Sequence, residues 1–346
     1  MRAGCTIAAK EEWALARVTA ASFAEHHPGV PFFALLADEP EGCFDPGEEP
    51  FEVIPLSALD VPRQMLFRYE RQALSYALTP SLISLLLDRG FSQVMFVKQE
   101  SLVLGELPFD ALGSIALTPH LLEPIGAEEE LPILLAGTHN GGLVGVADRP
   151  QGRAFLAWWA ERLRDHCVRD PARGLHFEQR WLDLVPAYFG ETVLIRDPGC
   201  NIGHWNAHQR DVAGASLVRF SGYDMDEPEL VSRYRDLRVD DLGPFAEVWR
   251  DYHRRLVSAG TVGASYAYDR FDNGALIPPI ARQMPLSGDP FGDEFFRWLA
   301  EGDPVPRMWA FLRERRPDLR KGFAGNDEGF LAWVATHGAE EYGSLG

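Results

Sequence analysis

A lysine and a glutamate, Lys98 and Glu100, follow directly after the apolar run at 94–97, and the chain becomes apolar again at 102–104. Three of the 33 basic residues are lysines, so composition alone does not explain a lysine at this position. A short apolar run bounded by polar residues is typical of a buried strand. Because open α/β sheets bind ligands at the carboxyl ends of their strands, we expect Lys98 and Glu100 to belong to a functional site.

Apolar runs of strand length alternate with segments of helical length over the first two thirds of the chain. The predicted strands are 5–9, 32–37, 94–97, 114–117, 142–146 and 192–195, and the predicted helices are 11–27, 69–87 and 154–167. The aromatic stripe of the last helix, which includes Trp158 and Trp159, is interpreted as core packing. The alternation predicts an α/β fold with a mainly parallel sheet and helices on both faces.

The character of the sequence changes after Tyr223, where charged amphipathic segments such as 242–259 replace the strand pattern. We place a domain boundary near 224–228. It divides the chain into an α/β domain at 1–225 and a mainly helical C-terminal region at 226–346.

The formal net charge of −18 disfavours nucleic acid as a partner, because binding a phosphate backbone requires a dense basic surface. A basic pocket could still bind a small anion. The four cysteines form no Cys-x-x-Cys pair, which argues against a disulfide framework and a zinc knuckle. No apolar stretch approaches the roughly 20 residues of a membrane span, and the N-terminus has no signal-peptide pattern. These features predict a cytoplasmic protein without a transmembrane segment.

Several separated segments, taken together, resemble consecutive landmarks of bacterial GT-A-fold glycosyltransferases related to the retaining glycogenin and galactosyltransferase group. The matching segments are 6–10, 94–105, 139–142, 177–183, 197–201, 204–206 and 219–222. The resemblance spans about 5–225 in the family's order, and 271–274 with the helical tail resembles the C-terminal extension of a bacterial branch. It implies a GT-A-like fold and a nucleoside-diphosphate sugar donor, with an unknown small molecule or glycan as acceptor.

The resembled family carries Asp-x-Asp at the strand exit, whose carboxylates hold a divalent cation against the donor diphosphate. Here the triplet is Lys98-Gln99-Glu100, and Arg219 replaces the family's histidine ligand before the Ser221-Gly222 stretch. Lysine and arginine both bind phosphate oxygens. We therefore interpret the site as independent of metal and of any other cofactor, with Lys98 and Arg219 in the cation's place. The alternative is a decayed site in which Lys98 pairs with Glu100 or another carboxylate.

The remaining candidates take their roles from the resemblance. Glu178 and Gln179 stand where the family faces the donor sugar, although a surface glutamate on a loop would also explain Glu178. The expected substrate contacts are Thr6, Lys10, Asp38, Asn140, Asn201, His204, Ser221 and Gly222. Thr6, Lys10 and Asp38 would bind the base and ribose, whereas Asp38 could instead cap a turn. Asn140, in a glycine-rich turn, and His204 would position sugar or acceptor.

His204 and His208 could also belong to a metal site if their segment were helical, but Gly199 and Gly203 predict a loop there. Thr79-Pro80 stands where the resembled proteins often have Lys-Pro, which indicates an altered donor or reaction. The sequence therefore predicts a retaining, metal-independent glycosyltransferase. Two alternatives stay open: an enzyme of the same fold that acts on a nucleotide or natural-product intermediate without sugar transfer, and a non-catalytic binding protein.

Overall fold

The computed structural model describes residues 1–40, 44–260, 265–270, 276–277, 282 and 317–333. The thirteen strands among these residues are β1 (Arg2–Ala8), β2 (Phe32–Leu36), β3 (Glu52–Pro55), β4 (Gln93–Val97), β5 (Ser101–Val103), β6 (Ile115–Pro119), β7 (His139–Ala147), β8 (Arg169–Asp170), β9 (Leu175–His176), β10 (Thr192–Leu194), β11 (Leu217–Arg219), β12 (Leu230–Ser232) and β13 (Arg235–Arg238). The described α-helices are α1 (Trp13–His26), α2 (Arg63–Arg68), α3 (Arg71–Ala77), α4 (Thr79–Asp88), α5 (Ala127–Ala136), α6 (Pro150–His166), α7 (Gln179–Leu182), α8 (Val185–Tyr188), α9 (Ala246–Ala259), α10 (Pro317–Gly322) and α11 (Asp327–Trp333).

Seven strands form the central sheet in the order β10-β6-β7-β4-β1-β2-β3. Strand β7 runs antiparallel to both of its neighbours, β4 and β6, while the other neighbouring pairs are parallel. The carboxyl end of β4 therefore meets the amino end of β7. This arrangement brings Lys98 beside the 139–142 segment, and the Lys98 backbone N–H donates to the Gly142 carbonyl at 2.9 Å.

The two faces of the sheet bury different side chains, because residues alternate along a strand. On one face, Cys5 and Phe96 join a core with the helices α3, α4 and α6. On the other face, Met95 and Val97 pack with Phe23 of α1. The predicted α/β fold, with a mainly parallel sheet and helices on both faces, is confirmed.

The segment after residue 225 packs against the first part of the chain. Tyr252 of α9 stacks on Phe220 with ring centroids 3.6 Å apart, and Trp249 contacts the same ring. A hairpin, β12–β13, precedes the helix, and its turn docks on 221–222 because the Arg233 N–H donates to the Gly222 carbonyl at 2.8 Å. The sequence predicts helices in this region and missed the hairpin, whose strands are three and four residues long. The boundary near 224–228 stays a prediction.

Two local predictions are wrong. The helix expected at 69–87 is two helices, α3 and α4, which meet at Leu78 with Pro80 in the first turn of α4, where its missing N–H costs nothing. Asn140 lies within strand β7 rather than in a turn. The resemblance at 271–274 falls outside the described residues. No helix within the described ranges is long and apolar enough to cross a membrane.

Candidate active site

A cavity of about 870 Å³ opens at the carboxyl end of β4. Eight of the predicted site residues line it: Lys98, Glu100, Asn140, Glu178, Gln179, His204, Arg219 and Ser221. They come from five segments between residues 98 and 221, and the antiparallel pairing of β7 with β4 brings two of these, 98–100 and 139–142, together. The volume lies within the range of roughly 300–1,000 Å³ that small-molecule sites occupy.

Lys98 is 5% exposed and holds a fixed position in the cavity wall. Its Nζ lies 2.8 Å from Oε1 of Glu178 and 3.2 Å from the centroid of the Tyr76 ring. A carboxylate and an aromatic face are both favourable partners for a buried ammonium. Glu178 is 2% exposed, so it is not the surface glutamate that the sequence left open. The lysine does pair with a carboxylate, and that carboxylate is Glu178 rather than Glu100.

Arg219 is the second buried cation of the site, at 1% exposure. Its Nη2 lies 2.9 Å from Oε1 of Glu100, and its Nη1 donates to Oδ1 of Asn140 at 2.9 Å. The same Asn140 oxygen accepts from the Gly142 N–H at 2.8 Å. Two ion pairs thus stand side by side, Lys98 with Glu178 and Arg219 with Glu100.

Two glycines of β7 make room for these pairs. A Cβ on Gly142 would overlap the Arg219 guanidinium, and a Cβ on Gly141 would overlap the Glu178 carboxylate. Any larger residue at either position would push a charged side chain out of place. The two glycines therefore matter because they lack a side chain, which leaves room for both ion pairs, and not because they form a turn.

Further cations reach the site from the β12–β13 hairpin. Arg233 and Arg235 line the cavity, and neither forms an ion pair with any residue that the structure describes. With Lys98 and Arg219 they outnumber the two nearby carboxylates, Glu100 and Glu178. This end of the cavity is therefore positive although the whole chain carries −18, which favours an anionic ligand.

Three histidines line the cavity as neutral groups. Burial lowers the pKa of His120 to about 3 and the pKa of His204 to about 4, and it also lowers the pKa of His176. At neutral pH these imidazoles carry no charge. The positive charge of the cavity therefore comes from lysine and arginine, and His204 could contact a ligand as a neutral hydrogen-bonding group.

The other predicted contacts lie apart from the cavity lining. Asp38 and Lys10 form an ion pair with Nζ and Oδ1 3.7 Å apart, and both Thr6 and Asn201 are fully buried. Gly222 lines a small pocket of about 40 Å³ beside Ser221 and Glu100. The structure thus brings eight of the predicted residues together, places Gly222 next to them, and leaves the other four elsewhere.

A divalent cation does not suit the residues at the strand exit. Hard cations require oxygen ligands, whereas Lys98 and Arg219 present an ammonium and a guanidinium there, and Glu100 and Glu178 are already held by these cations. Across the described part of the chain, no group of three or more His, Cys, Asp or Glu side chains could hold a metal ion.

Sequence reasoning missed several residues of the cavity, above all Tyr76, Arg233 and Tyr234. Tyr76 lies in α3 and has no sequence signal beyond its apolar spacing. The Arg233-Tyr234 pair lies in the stretch 230–238, where four of the nine residues are charged, and no apolar pattern marks it. A hairpin prediction for 230–238 would have placed both at its turn.

No protein-family model matches the chain. It is 28% identical over 142 residues to the uncharacterized protein YfnF of Bacillus subtilis (strain 168), a match that covers 37% of this chain and 47% of that protein. The chain thus spans about half the length of this relative.

Among solved structures, the galactosyltransferase LgtC in complex with donor and acceptor sugar analogs has a TM-score of 0.47 and 13% identity, over 73% of this chain and 95% of that one. The glycosyltransferase GlyE of Streptococcus pneumoniae TIGR4 has a TM-score of 0.45 and 12% identity, over 77% of this chain and 67% of that one. At these identities and TM-scores, the likeness assigns no activity to this chain.

Proposed function

We propose that the chain is a glycosyltransferase that uses a nucleoside-diphosphate sugar without a metal ion. One observation carries the proposal: two buried cations, Lys98 and Arg219, stand together in the wall of a cavity at the carboxyl end of β4. A departing diphosphate develops negative charge, and fixed positive groups that are already in place stabilise it most effectively. The ordered sequence segments that resemble GT-A glycosyltransferases support the same assignment.

The two cations have complementary properties for a diphosphate. Arginine presents a planar fork that binds two phosphate oxygens, and lysine supplies a compact point charge. Their present carboxylate partners keep them in position before the donor binds. On binding, the diphosphate oxygens would share or replace these carboxylates, and Arg233 and Arg235 would supply the excess positive charge.

We assign Glu178 to the reacting face of the donor sugar, where transfer would proceed with retention. Oε1 of Glu178 faces Lys98, while Oε2 has no hydrogen-bond partner among the described residues. Gln179 acts as a positioning residue, because its side chain accepts from the Gly141 N–H at 3.0 Å and donates to the Ala136 carbonyl at 2.9 Å. Asn140 and His204 would orient sugar or acceptor.

The roles of the outlying residues are proposals of the same kind. Ser221 and Gly222 would contact the diphosphate from the hairpin side, and Asn201 would support that wall. Thr6, Lys10 and Asp38 would contact the base and ribose of the donor. Because these three residues lie outside the cavity lining, their substitution would affect the binding of the nucleoside rather than that of the diphosphate.

A thermal-shift panel of sugar nucleotides in EDTA tests the proposal, because a ligand that binds the folded state raises the melting temperature. We expect at least one sugar nucleotide to raise it in the wild type and in Lys321→Met, an exposed lysine outside the site, but not in Lys98→Met. Mass spectrometry of a reaction with that donor and candidate acceptors should then show glycosylated product. A thermal shift without any product would favour the non-catalytic alternative.

A further inference from the structure

The cavity has two chemically different ends. Besides the charged residues, its lining includes six apolar residues: Ile125, Pro132, Ile133, Ala136, Val168 and Phe177. Hydrogen bonds to the backbone tie the segments that carry several of these residues. Phe177 and Val168 are joined by a backbone hydrogen bond of 2.9 Å, and the Gln179 side chain ties the same segment to the Ala136 carbonyl.

Tyr76 joins the apolar end to the charged end. One face of its ring carries Lys98 at 3.2 Å, and the ring makes an edge contact with Phe177 at 5.6 Å between centroids. The two environments are therefore separated by about the width of one aromatic ring. A single ligand, or two ligands in contact, can occupy both ends at once.

Helix α5 forms the roof of the apolar end. Each of its residues is exposed or half-buried, and five of them line the cavity: Glu128, Glu129, Pro132, Ile133 and Ala136. Glycines with positive φ flank the helix, Gly126 at 119° and Gly137 at 116°. Arg180 holds its last turn by donating to the Leu134 carbonyl at 3.1 Å. Helix α5 thus holds apolar side chains over the open cavity. A ligand bound there would shield these side chains from water.

Helix α5 offers a diphosphate no partner. Pro132, Ile133 and Ala136 of this helix have no hydrogen-bond donor in their side chains, and Glu128 and Glu129 add two carboxylates to the lining. Phosphate oxygens require donors or cations; the lining carries these in Lys98 and Arg219 at one end and in Arg68, Arg169 and Arg282 elsewhere, whereas none stands on α5. The apolar end is therefore available for the other substrate.

We propose that the acceptor is amphiphilic and places an alkyl or aromatic group beneath α5, while its hydroxyl group points past Tyr76 toward Glu178. The role of this ligand as an acceptor rests on the proposed function, whereas the binding of an apolar group beneath α5 does not. An acceptor of this kind would bind mainly through its apolar part, because aromatic and aliphatic walls provide affinity and a few polar groups provide orientation.

Calorimetric titration with octyl β-D-glucoside and methyl β-D-glucoside, both kept below the micelle concentration, tests the inference. The two probes differ in their alkyl chain alone. We expect the octyl compound to bind at least tenfold more tightly to the wild type. Equal affinity for the two probes would overturn the inference.

Two variants on the same helix locate the site. Ile133→Asn changes the inner face of α5 and should remove the preference for the octyl compound. Leu134→Asn changes a residue that is 59% exposed on the outer face and should retain it. If Leu134→Asn loses the preference to the same extent, the alkyl chain binds outside the cavity and the inference is wrong.

A third variant covers the case in which Ile133→Asn does not fold. Ala136→Leu keeps a strong helix former and fills part of the apolar end, so the octyl compound should bind at least tenfold more weakly. Unchanged binding would overturn the inference. Pyrophosphate titrations run in parallel separate the two claims: binding of pyrophosphate should be unaffected in all three variants, and its failure to bind the wild type would contradict the proposed function alone.

Discussion

Two buried lysines follow two neighbouring strands of the same sheet, and the structure uses them differently. Lys98 follows β4 and is 5% exposed, and Lys10 follows β1 and is 7% exposed. Each has a carboxylate partner, Glu178 for Lys98 and Asp38 for Lys10. Lys98 lines the large cavity, whereas Lys10 donates to the Glu39 carbonyl at 3.2 Å and lies outside the lining.

The difference arises from what covers each strand end. Asp38 accepts from the backbone N–H groups of Glu39 and Ala267, at 2.8 and 3.0 Å, so the 265–270 segment is fixed over the ends of β1 and β2. Burial raises the pKa of Asp38, although these hydrogen bonds and Lys10 oppose the shift. Over β4 there is open space instead. The chain thus leaves room for a large ligand beside Lys98, whereas the 265–270 segment lies over the ends of β1 and β2.

The largest expected effect is that of Lys98→Met. The change leaves Glu178 buried and unpaired, which should cost about 3–5 kcal/mol of the free energy of unfolding, and it should remove pyrophosphate binding. Denaturant titration and calorimetry measure the two quantities. The double variant Lys98→Met/Glu178→Gln should recover most of the stability without recovering binding. Pyrophosphate binding of wild-type strength in either variant would contradict the role of Lys98 as a binding group.

Gly142→Ala should have the next largest effect, since the new Cβ would displace the Arg219 guanidinium. We expect a loss of about 1–3 kcal/mol in the free energy of unfolding from overpacking, together with at least tenfold weaker pyrophosphate binding. Gly190→Ala is the matched control, because a Cβ there meets no atom within 4 Å. A Gly142→Ala protein that binds pyrophosphate normally would show that Arg219 is dispensable.

Asp38→Asn should lower stability and leave pyrophosphate binding unchanged. The change weakens the interaction with Lys10 and the fixation of 265–270, at a cost of about 1–3 kcal/mol in the free energy of unfolding. Pyrophosphate affinity should stay at the wild-type value. If affinity for nucleoside diphosphates falls while that for pyrophosphate does not, the proposed role of Asp38 at the ribose gains support. A parallel loss of pyrophosphate affinity would erase the distinction between the two strand ends.

The last prediction concerns pH and involves Glu12, whose carboxylate accepts from the Gln99 side chain at 3.4 Å. Burial raises its pKa from 4.5 to about 7, and Arg71 opposes the shift. Because the folded state binds the proton more tightly than the unfolded state, stability from this group falls as pH rises from about 4.5 to 7 and is constant above that. Glu12→Gln should flatten the dependence in this window. Thermal unfolding of both proteins from pH 4.5 to 8 measures it, and identical curves would refute the assignment.

The sequence predicted the sheet well and the site in part, for physical reasons that differ between residues. The strand before Lys98 and the helix α1 follow from local apolar patterns, which a single segment carries. The pairing of Lys98 with Glu178 does not follow from a local pattern. Glu178 is eighty residues away and reaches Lys98 through the packing of α7 against β7. Tyr76 and Arg233 were missed for the same reason.

Asp38 shows a second limit of local patterns. Its position after a strand predicted a substrate contact, and the turn-capping alternative was left open. The backbone groups that it binds include Ala267, 229 residues further along the chain, which no local pattern connects to it. Strand-end position is thus readable from sequence, whereas the segment that covers a strand end is not.

The most direct test of the central claim is calorimetric titration of the wild type with pyrophosphate, once in EDTA and once with Mn²⁺. If Lys98 and Arg219 take the place of a metal ion, pyrophosphate binds in EDTA at least as tightly as with Mn²⁺, and Lys98→Met abolishes that binding. Binding that is absent in EDTA and appears with Mn²⁺ would contradict the account.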